Sequence, residues 1–116
     1  MSDETCIFCS IAEGRIPSTK VYEDEHCIAF NDLNPQAPTH ILLIPTTHYE
    51  NAAELAGDDP HGLAALVVTA RSLAEADGVD RSGYRLLFNT GAGAGQTVFH
   101  AHLHLLGGRS LTWPPG

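Results

Sequence analysis

The sequence predicts an α+β domain carrying a mainly antiparallel sheet. Three observations predict it: several short strand-like runs, helical segments that stand apart from them, and a closing run in which apolar residues alternate strictly with histidine. No repeat, low-complexity tract or linker divides the 116 residues, so residues 1–116 read as a single domain. Hydrophobic residues at 43% against charged residues at 17% fit a globular chain and exclude a disordered one.

The first element is a helix over residues 6–13, where Ile7, Phe8, Ile11 and Ala12 recur at helical spacing and Gly14 supplies a stop, with Pro17 just beyond. Strands follow over 20–23 and 27–31, parted by the polar Asp24-Glu25-His26 turn. Pro35 and Pro38 deny both a helix and a central strand to residues 34–38, which become an irregular loop. Residues 40–45 are almost wholly apolar, as suits a strand in the middle of a sheet. A short helix is expected over 50–55. A longer one starts near Asp58-Asp59-Pro60, which offers a cap and an N1 proline. Its stripe of Leu63, Leu66, Val67, Ala70, Leu73 and Ala74 is amphipathic, and Gly78 ends it. The last two strands are expected over 84–89 and 98–106, with a glycine-rich loop at 90–97 between them.

Charge and cysteine usage narrow the chemistry. Six basic against fourteen acidic residues give a formal charge of −8, which argues against nucleic-acid polymers as partners but not against a small anion held by backbone N–H groups and histidines. The longest apolar runs, 41–44 and 63–68, are far too short to span a membrane, and the opening Met-Ser-Asp-Glu has no leader-like character, so a cytoplasmic location is expected. Cys6-x-x-Cys9 therefore reads as a metal or redox pair before a disulfide, and Cys27, inside a strand, as core.

The most informative segment is Phe99-His100-Ala101-His102-Leu103-His104-Leu105-Leu106. As a strand it turns Ala101, Leu103 and Leu105 to the core and sets His100, His102 and His104 in a row on the other face. Read as a helix, it scatters the histidines and leaves no apolar stripe. Three meanings are open: a solvated polar face, a three-histidine metal site, or a division of labour between a nucleophile and residues that grip phosphate or metal. Geometry weighs against the second, since alternate residues lie about 6.6 Å apart and the outer pair about 13 Å, too far to share one ion with ligands near 2 Å.

His100-Ala101-His102-Leu103-His104-Leu105-Leu106 resembles the signature of the histidine triad (HIT) superfamily of nucleotide hydrolases and transferases. Cys6-Ile7-Phe8-Cys9, Gly14-Arg15-Ile16-Pro17, Pro35 to His40, Leu43-Ile44-Pro45, Gly95-Gln96-Thr97-Val98 and the closing Trp113-Pro114-Pro115-Gly116 are similar to its Hint branch, so the likeness runs from end to end. The resemblance implies a HIT-like fold with one longer and one or two short helices, and a homodimer whose half-sheets join. It implies cleavage of the P–N bond of purine nucleoside phosphoramidates through a nucleotidyl-histidine. Related alternatives are a dinucleoside polyphosphate hydrolase, a nucleotidyl transferase, or a non-catalytic nucleotide- or zinc-binding regulatory module.

Carried over by position, His102 is the nucleophile, a role that suits an imidazole neutral near pH 7. His104 contacts phosphate and helps protonate the leaving group, while His40, a fourth histidine beside the triad of His100, His102 and His104, orients the site. Gly95, Gln96 and Thr97 place donors around phosphate, with threonine where the branch usually has serine. Asn89 serves the phosphate and ribose, Asp32 the ribose hydroxyls, and Phe30 and Leu33 wall the base. Plainer readings stand beside these: Asp32 as a turn cap, Gly91, Gly93 and Gly95 as a flexible connection, Phe8, Ile11 and Ile16 as core, Trp113 as a tail rather than a neighbour of the partner's active site. Cys6 and Cys9 share a helix face, and His48 and His100 are available to complete a Cys2His2 structural zinc site; a redox pair or two free thiols are the rivals.

Overall fold

The structure is a computed structural model that describes residues 5–116; the first four, which contribute to the expectation about export, lie outside the described residues. In chain order it comprises α1 (Ile7–Ala12), β1 (Lys20–Glu23), β2 (Cys27–Asn31), β3 (Thr39–Pro45), α2 (Ala52–Asp58), α3 (Pro60–Ala76), α4 (Val79–Ser82), β4 (Tyr84–Leu87), a 3-10 turn at Ala92–Ala94 and β5 (Leu103–Gly107). The strands form one sheet in the order β1-β2-β3-β5-β4, and every neighbouring pair is antiparallel. The α+β expectation is met. No helix among the described residues is long and apolar enough to cross a membrane.

Strand alternation distributes the apolar side chains between two layers. Cys27, Ala29, Ile41, Leu43, Leu103 and Leu105 point to one face, where Leu55 of α2 and Leu66, Ala70 and Ala74 of α3 cover them. Ile28, Phe30, Leu42 and Ile44 point to the other, where Phe8 and Ile11 of α1 close over part of it. β3 is buried along its whole length, as its unbroken apolar run requires. The short helix α1 thus covers only one end of its face, and the site described below opens there.

Helix boundaries follow the caps. Asp59 accepts from the Gly62 N–H and Pro60 sits in the first turn, so α3 begins where the sequence places it. The preceding helix starts at Ala52 and not at residue 50, because the Asn51 side chain caps it by accepting from the Glu54 N–H. Gly78, with φ 76, leads out of α3 and directly into the short α4, which composition does not mark.

The last two strands are shorter than the sequence suggests. β4 stops at Leu87 and β5 starts at Leu103, because pairing with β3 and with β4 gives partners only to residues 103–107. The three histidines therefore do not share one strand: His104 lies in β5, whereas His100 and His102 precede it. In that preceding segment the Ala101 N–H goes to the Tyr49 carbonyl at 2.7 Å instead of to a ladder. The alternation of faces survives the change, with Ala101, Leu103 and Leu105 all buried.

Candidate functional site

A cleft of about 300 Å3 opens between α1, the segment before β1, the end of β2 and the glycine-rich loop, and His102 and His104 stand in its wall. Phe8, Ile11, Ile16, Phe30, Leu33 and Leu42 make its apolar side, while Asp32, Gly95 and Thr97 contribute the polar rim. Leu33 is 98% exposed, a large apolar side chain held in water at the mouth. Of the residues expected to bind nucleotide, Phe30, Asp32, Leu33, Gly95, Thr97, His102 and His104 thus converge on one cavity. Asn89 does not line it, but its amide nitrogen lies 3.9 Å from the position a Cβ on Gly95 would take. Gly95 itself has φ 94, a left-handed conformation that glycine adopts without strain.

Gln96 stands apart from the cleft wall. Its backbone N–H donates to the Gly91 carbonyl, its side-chain oxygen accepts from the Gly91 N–H at 2.8 Å, and its amide nitrogen donates to the carbonyls of Glu50 and Val98 at 2.8 and 3.1 Å. The loop is glycine-rich, yet this buried amide braces it. Asp32 serves as both turn cap and rim residue: Oδ1 accepts from the Asn34 N–H at 2.8 Å, and Oδ2 lies 3.4 Å from His40 Nε2.

Hydrogen bonds assign the protons of the histidines. His102 Nδ1 lies 2.8 Å from the His100 carbonyl, which can only accept, so Nδ1 carries the hydrogen and Nε2 is left with its lone pair. Burial pushes the pKa of His102 below the ordinary imidazole value, against the opposing pull of the His100 carbonyl and Asp32. A neutral imidazole with a free Nε2 is a nucleophile at pH 7.

A second chain of bonds fixes His104. The Gln36 N–H donates to His40 Nδ1 at 3.0 Å, so in neutral His40 the hydrogen sits on Nε2. That Nε2 is 2.9 Å from His104 Nδ1, which accepts, leaving the hydrogen of His104 on Nε2. Burial first, then the neighbouring His102 and His40, push His104 down to about 4 against the pull of Asp32, so the ring is neutral. His104 Nε2 is buried with no hydrogen-bond partner among the described residues, an N–H donor in the cleft wall. The ring centroids of His102 and His104 are 5.0 Å apart, so a free lone pair and a free donor flank the same space. Phe8 meets the His102 ring edge-on at 5.0 Å and holds its plane.

Some site residues carry no signal in the sequence. Gln36 acts through its backbone N–H, which any residue but proline possesses, and Ser18 lines the cleft with a buried, unpartnered hydroxyl. Thr19, Asn31 and Leu42 also reach the wall, from a loop and strands whose side-chain directions only the register reveals.

Directly behind His102, Cys6, Cys9, His48 and His100 offer one donor atom each, all within 4.8 Å of one another. Cys9 Sγ lies 3.2 Å from His48 Nδ1 and 3.4 Å from His100 Nδ1, Cys6 Sγ 3.4 Å from His100 Nδ1, and the two Nδ1 atoms 3.2 Å apart. Tetrahedral zinc, with sulfur near 2.3 Å and nitrogen near 2.0–2.1 Å, separates its ligands by about 3.3–3.8 Å. The donor set fits that ion in kind, number and spacing. His100 is fully buried and held down to about 4 by burial, and its Nε2–H donates to the Pro45 carbonyl at 3.0 Å, which turns the Nδ1 lone pair toward the thiols. Cys6 also caps α1 by accepting from the Cys9 N–H.

Comparison with known proteins agrees with the fold. Residues 13–111 match the HIT domain family. A crystal structure of a HIT family hydrolase from Legionella pneumophila Philadelphia 1 is 52% identical and superimposes with a TM-score of 0.92, covering 96% of this chain and 99% of that one. The purine nucleoside phosphoramidase of Escherichia coli K12 is 43% identical over 96% of this chain and 92% of its own length. The 14 kDa zinc-binding protein of Zea mays is 44% identical over 100% of this chain and 91% of its own.

Proposed function

The chain belongs to the HIT domain family, and from that premise we propose that it is a hydrolase cleaving the P–N bond of purine nucleoside phosphoramidates, with His102 as nucleophile. One observation carries the reading: the 2.8 Å bond from His102 Nδ1–H to the His100 carbonyl leaves Nε2 bare beside the unpartnered Nε2–H of His104. The name of the Escherichia coli relative supports the substrate class.

In this scheme the nucleoside lies along Phe8, Ile11, Ile16 and Phe30, with Asp32 toward the ribose hydroxyls and Leu33 over the base. His102 Nε2 attacks the α-phosphorus and the P–N bond breaks as the P–Nε2 bond forms. His104 Nε2–H hydrogen-bonds the departing amine nitrogen, which leaves as the neutral amine with a proton taken from solvent water. Water then attacks the α-phosphorus of the nucleotidyl-histidine as the P–Nε2 bond breaks, gives its proton to solvent, and releases the nucleoside monophosphate with His102 restored. Gly95 and Thr97 neighbour the phosphate, Asn89 stands beside Gly95, and Gln96 acts through the loop it braces. His40 holds His104 in the donor tautomer.

Cys6, Cys9, His48 and His100 are proposed to hold a structural zinc, as the fit of their donor atoms and the name of the Zea mays relative support. Bound there, the ion would supply folding energy and no reaction chemistry. The half-buried edge strand β4 and Trp113, 82% exposed, support a homodimer with joined half-sheets.

Incubation with adenosine 5′-phosphoramidate tests the enzyme. Wild type is expected to release AMP and to show an adenylyl adduct on His102 by mass spectrometry after rapid quench. His102→Ala should lose at least about 1,000-fold in kcat. No turnover and no adduct in the wild type, with nucleotide still bound, would leave a binding module instead.

A further inference from the structure

A second cavity, about 560 Å3, adjoins the nucleotide cleft, and Ile7, Thr97 and Val98 belong to the walls of both. His48, Glu50 and Phe99 complete the part of the wall that matters here. The wall is built, not incidental. Gln96, only 3% exposed, spends the two hydrogens of its amide on the carbonyls of Glu50 and Val98, both residues of the cavity wall. The neighbouring Tyr49 carbonyl takes the Ala101 N–H at 2.7 Å, so the segment of Tyr49 and Glu50 is fastened once to the glycine-rich loop and once to the histidine segment. A buried amide placed to tie two walls together preorganises the space between them.

The lining has a definite chemistry. Ile7 and Phe99 present large apolar side chains that are 49% and 45% exposed, beyond what folding requires. Glu50 supplies a carboxylate, and no Lys or Arg is among the described residues of the wall. The space therefore suits an apolar chain ending in a positive charge and repels an anion. The α-phosphate belongs to the cleft beside His102, so whatever else the phosphorus carries must extend out of the nucleoside's side of that cleft. The adjoining cavity lies across Thr97 and Val98.

We propose that this second cavity is the subsite for the amine half of the substrate, and that Glu50 and Phe99 select phosphoramidates whose amine bears an apolar chain with a cationic end. The proposal rests on the phosphoramidase reading above. The amine nitrogen stays at phosphorus near His104, its chain lies on Ile7 and Phe99, and its terminal ammonium faces Glu50. No added chemical step is involved; the subsite contributes binding and therefore specificity.

The test uses adenosine 5′-phosphoramidates of matched length whose tails end in ammonium, hydroxyl or carboxylate, with unsubstituted adenosine phosphoramidate as the reference. Wild type should favour the ammonium tail over the carboxylate tail by about 3- to 10-fold in kcat/KM at low salt, a preference that shrinks at high ionic strength. Glu50→Gln should bring the ratio close to one, and Glu50→Lys should invert it. Phe99→Ala should weaken the dependence on chain length while keeping the charge preference. AMP esters carrying the same tails, whose binding to wild type is measured by calorimetry, read the subsite without turnover. Absence of turnover on the reference compound would sink the phosphoramidase reading while the esters still report on the cavity. Turnover and ester binding that are both blind to tail charge, or a charge preference untouched in Glu50→Gln, would overturn the subsite alone.

Discussion

One main-chain N–H, that of Gln36, decides where two side chains keep their hydrogens. By occupying His40 Nδ1 it sends the hydrogen to Nε2, and the 2.9 Å contact passes the choice on to His104. Three imidazoles within a few ångströms stay neutral because burial outweighs every favourable neighbour. A stability prediction follows for His104, which is faced by His102, His40 and Asp32. Its folded pKa of about 4 lies below the ordinary 6.5, so the unfolded chain binds the proton more readily. The stabilisation is complete above pH 6.5 and is lost as pH falls from there toward 4. One proton sets a limit of about 1.4 kcal/mol per pH unit, and partial exposure of the ring brings the slope below it. Urea unfolding between pH 7 and 4 should show a shallower decline in His104→Asn than in wild type; equal slopes would contradict the assignment. At this scale the two cleft histidines were legible, because alternation with apolar residues put His102 and His104 on one side. Ser18 and Gln36 were not, since neither a buried hydroxyl nor a main-chain donor leaves a mark in composition.

Among the elements, caps and prolines wrote themselves plainly: Asp59 with Pro60 locates α3 without coordinates. Strand ends were harder to read, because pairing, not propensity, terminates them. Residues 98–102 have a strand-like pattern but no neighbour, and Tyr49 takes their hydrogen bond instead. The other end of β5 closes against α4. A Cβ on Gly107 would stand 2.8 Å from Val79 Cβ and 3.0 Å from both its methyl carbons. Gly107→Ala should therefore cost about 1–3 kcal/mol in urea unfolding, and adding Val79→Ala should recover part of it. A Gly107→Ala protein as stable as wild type would show that α4 yields freely. Since β5 carries His104, the tightness of this junction also bears on the site.

Taken whole, the molecule commits one sheet face to its helical core and opens the other at the end of α1, where the histidine-walled cleft, the second cavity and the thiol–histidine cluster adjoin. The polar groups of the cleft are chiefly imidazoles held neutral by burial and backbone amides, with the Asp32 carboxylate on its rim and that of Glu50 in the wall of the adjoining cavity. Such a surface suits one small phosphate and not a polyanion. The metal reading belongs to this scale, because the cluster joins α1 to the segments around His48 and His100. Wild type is expected to carry about one zinc per chain by mass spectrometry of the metal. Cys6→Ser and Cys9→Ser should lose most of it, and chelation should lower the thermal midpoint by about 5 °C or more, the shift that about 1 kcal/mol produces in a small domain. Equal metal content in all three proteins would remove zinc from the account. His100 meanwhile has several anchors at once: Cys6 and Cys9 lie against Nδ1, Pro45 accepts from Nε2, and the His102 ring donates to the His100 carbonyl. Anyone redesigning this chain to work without thiols must give that ring a new anchor while leaving its peptide group where it is, since any twist there would be inherited by the imidazole of His102.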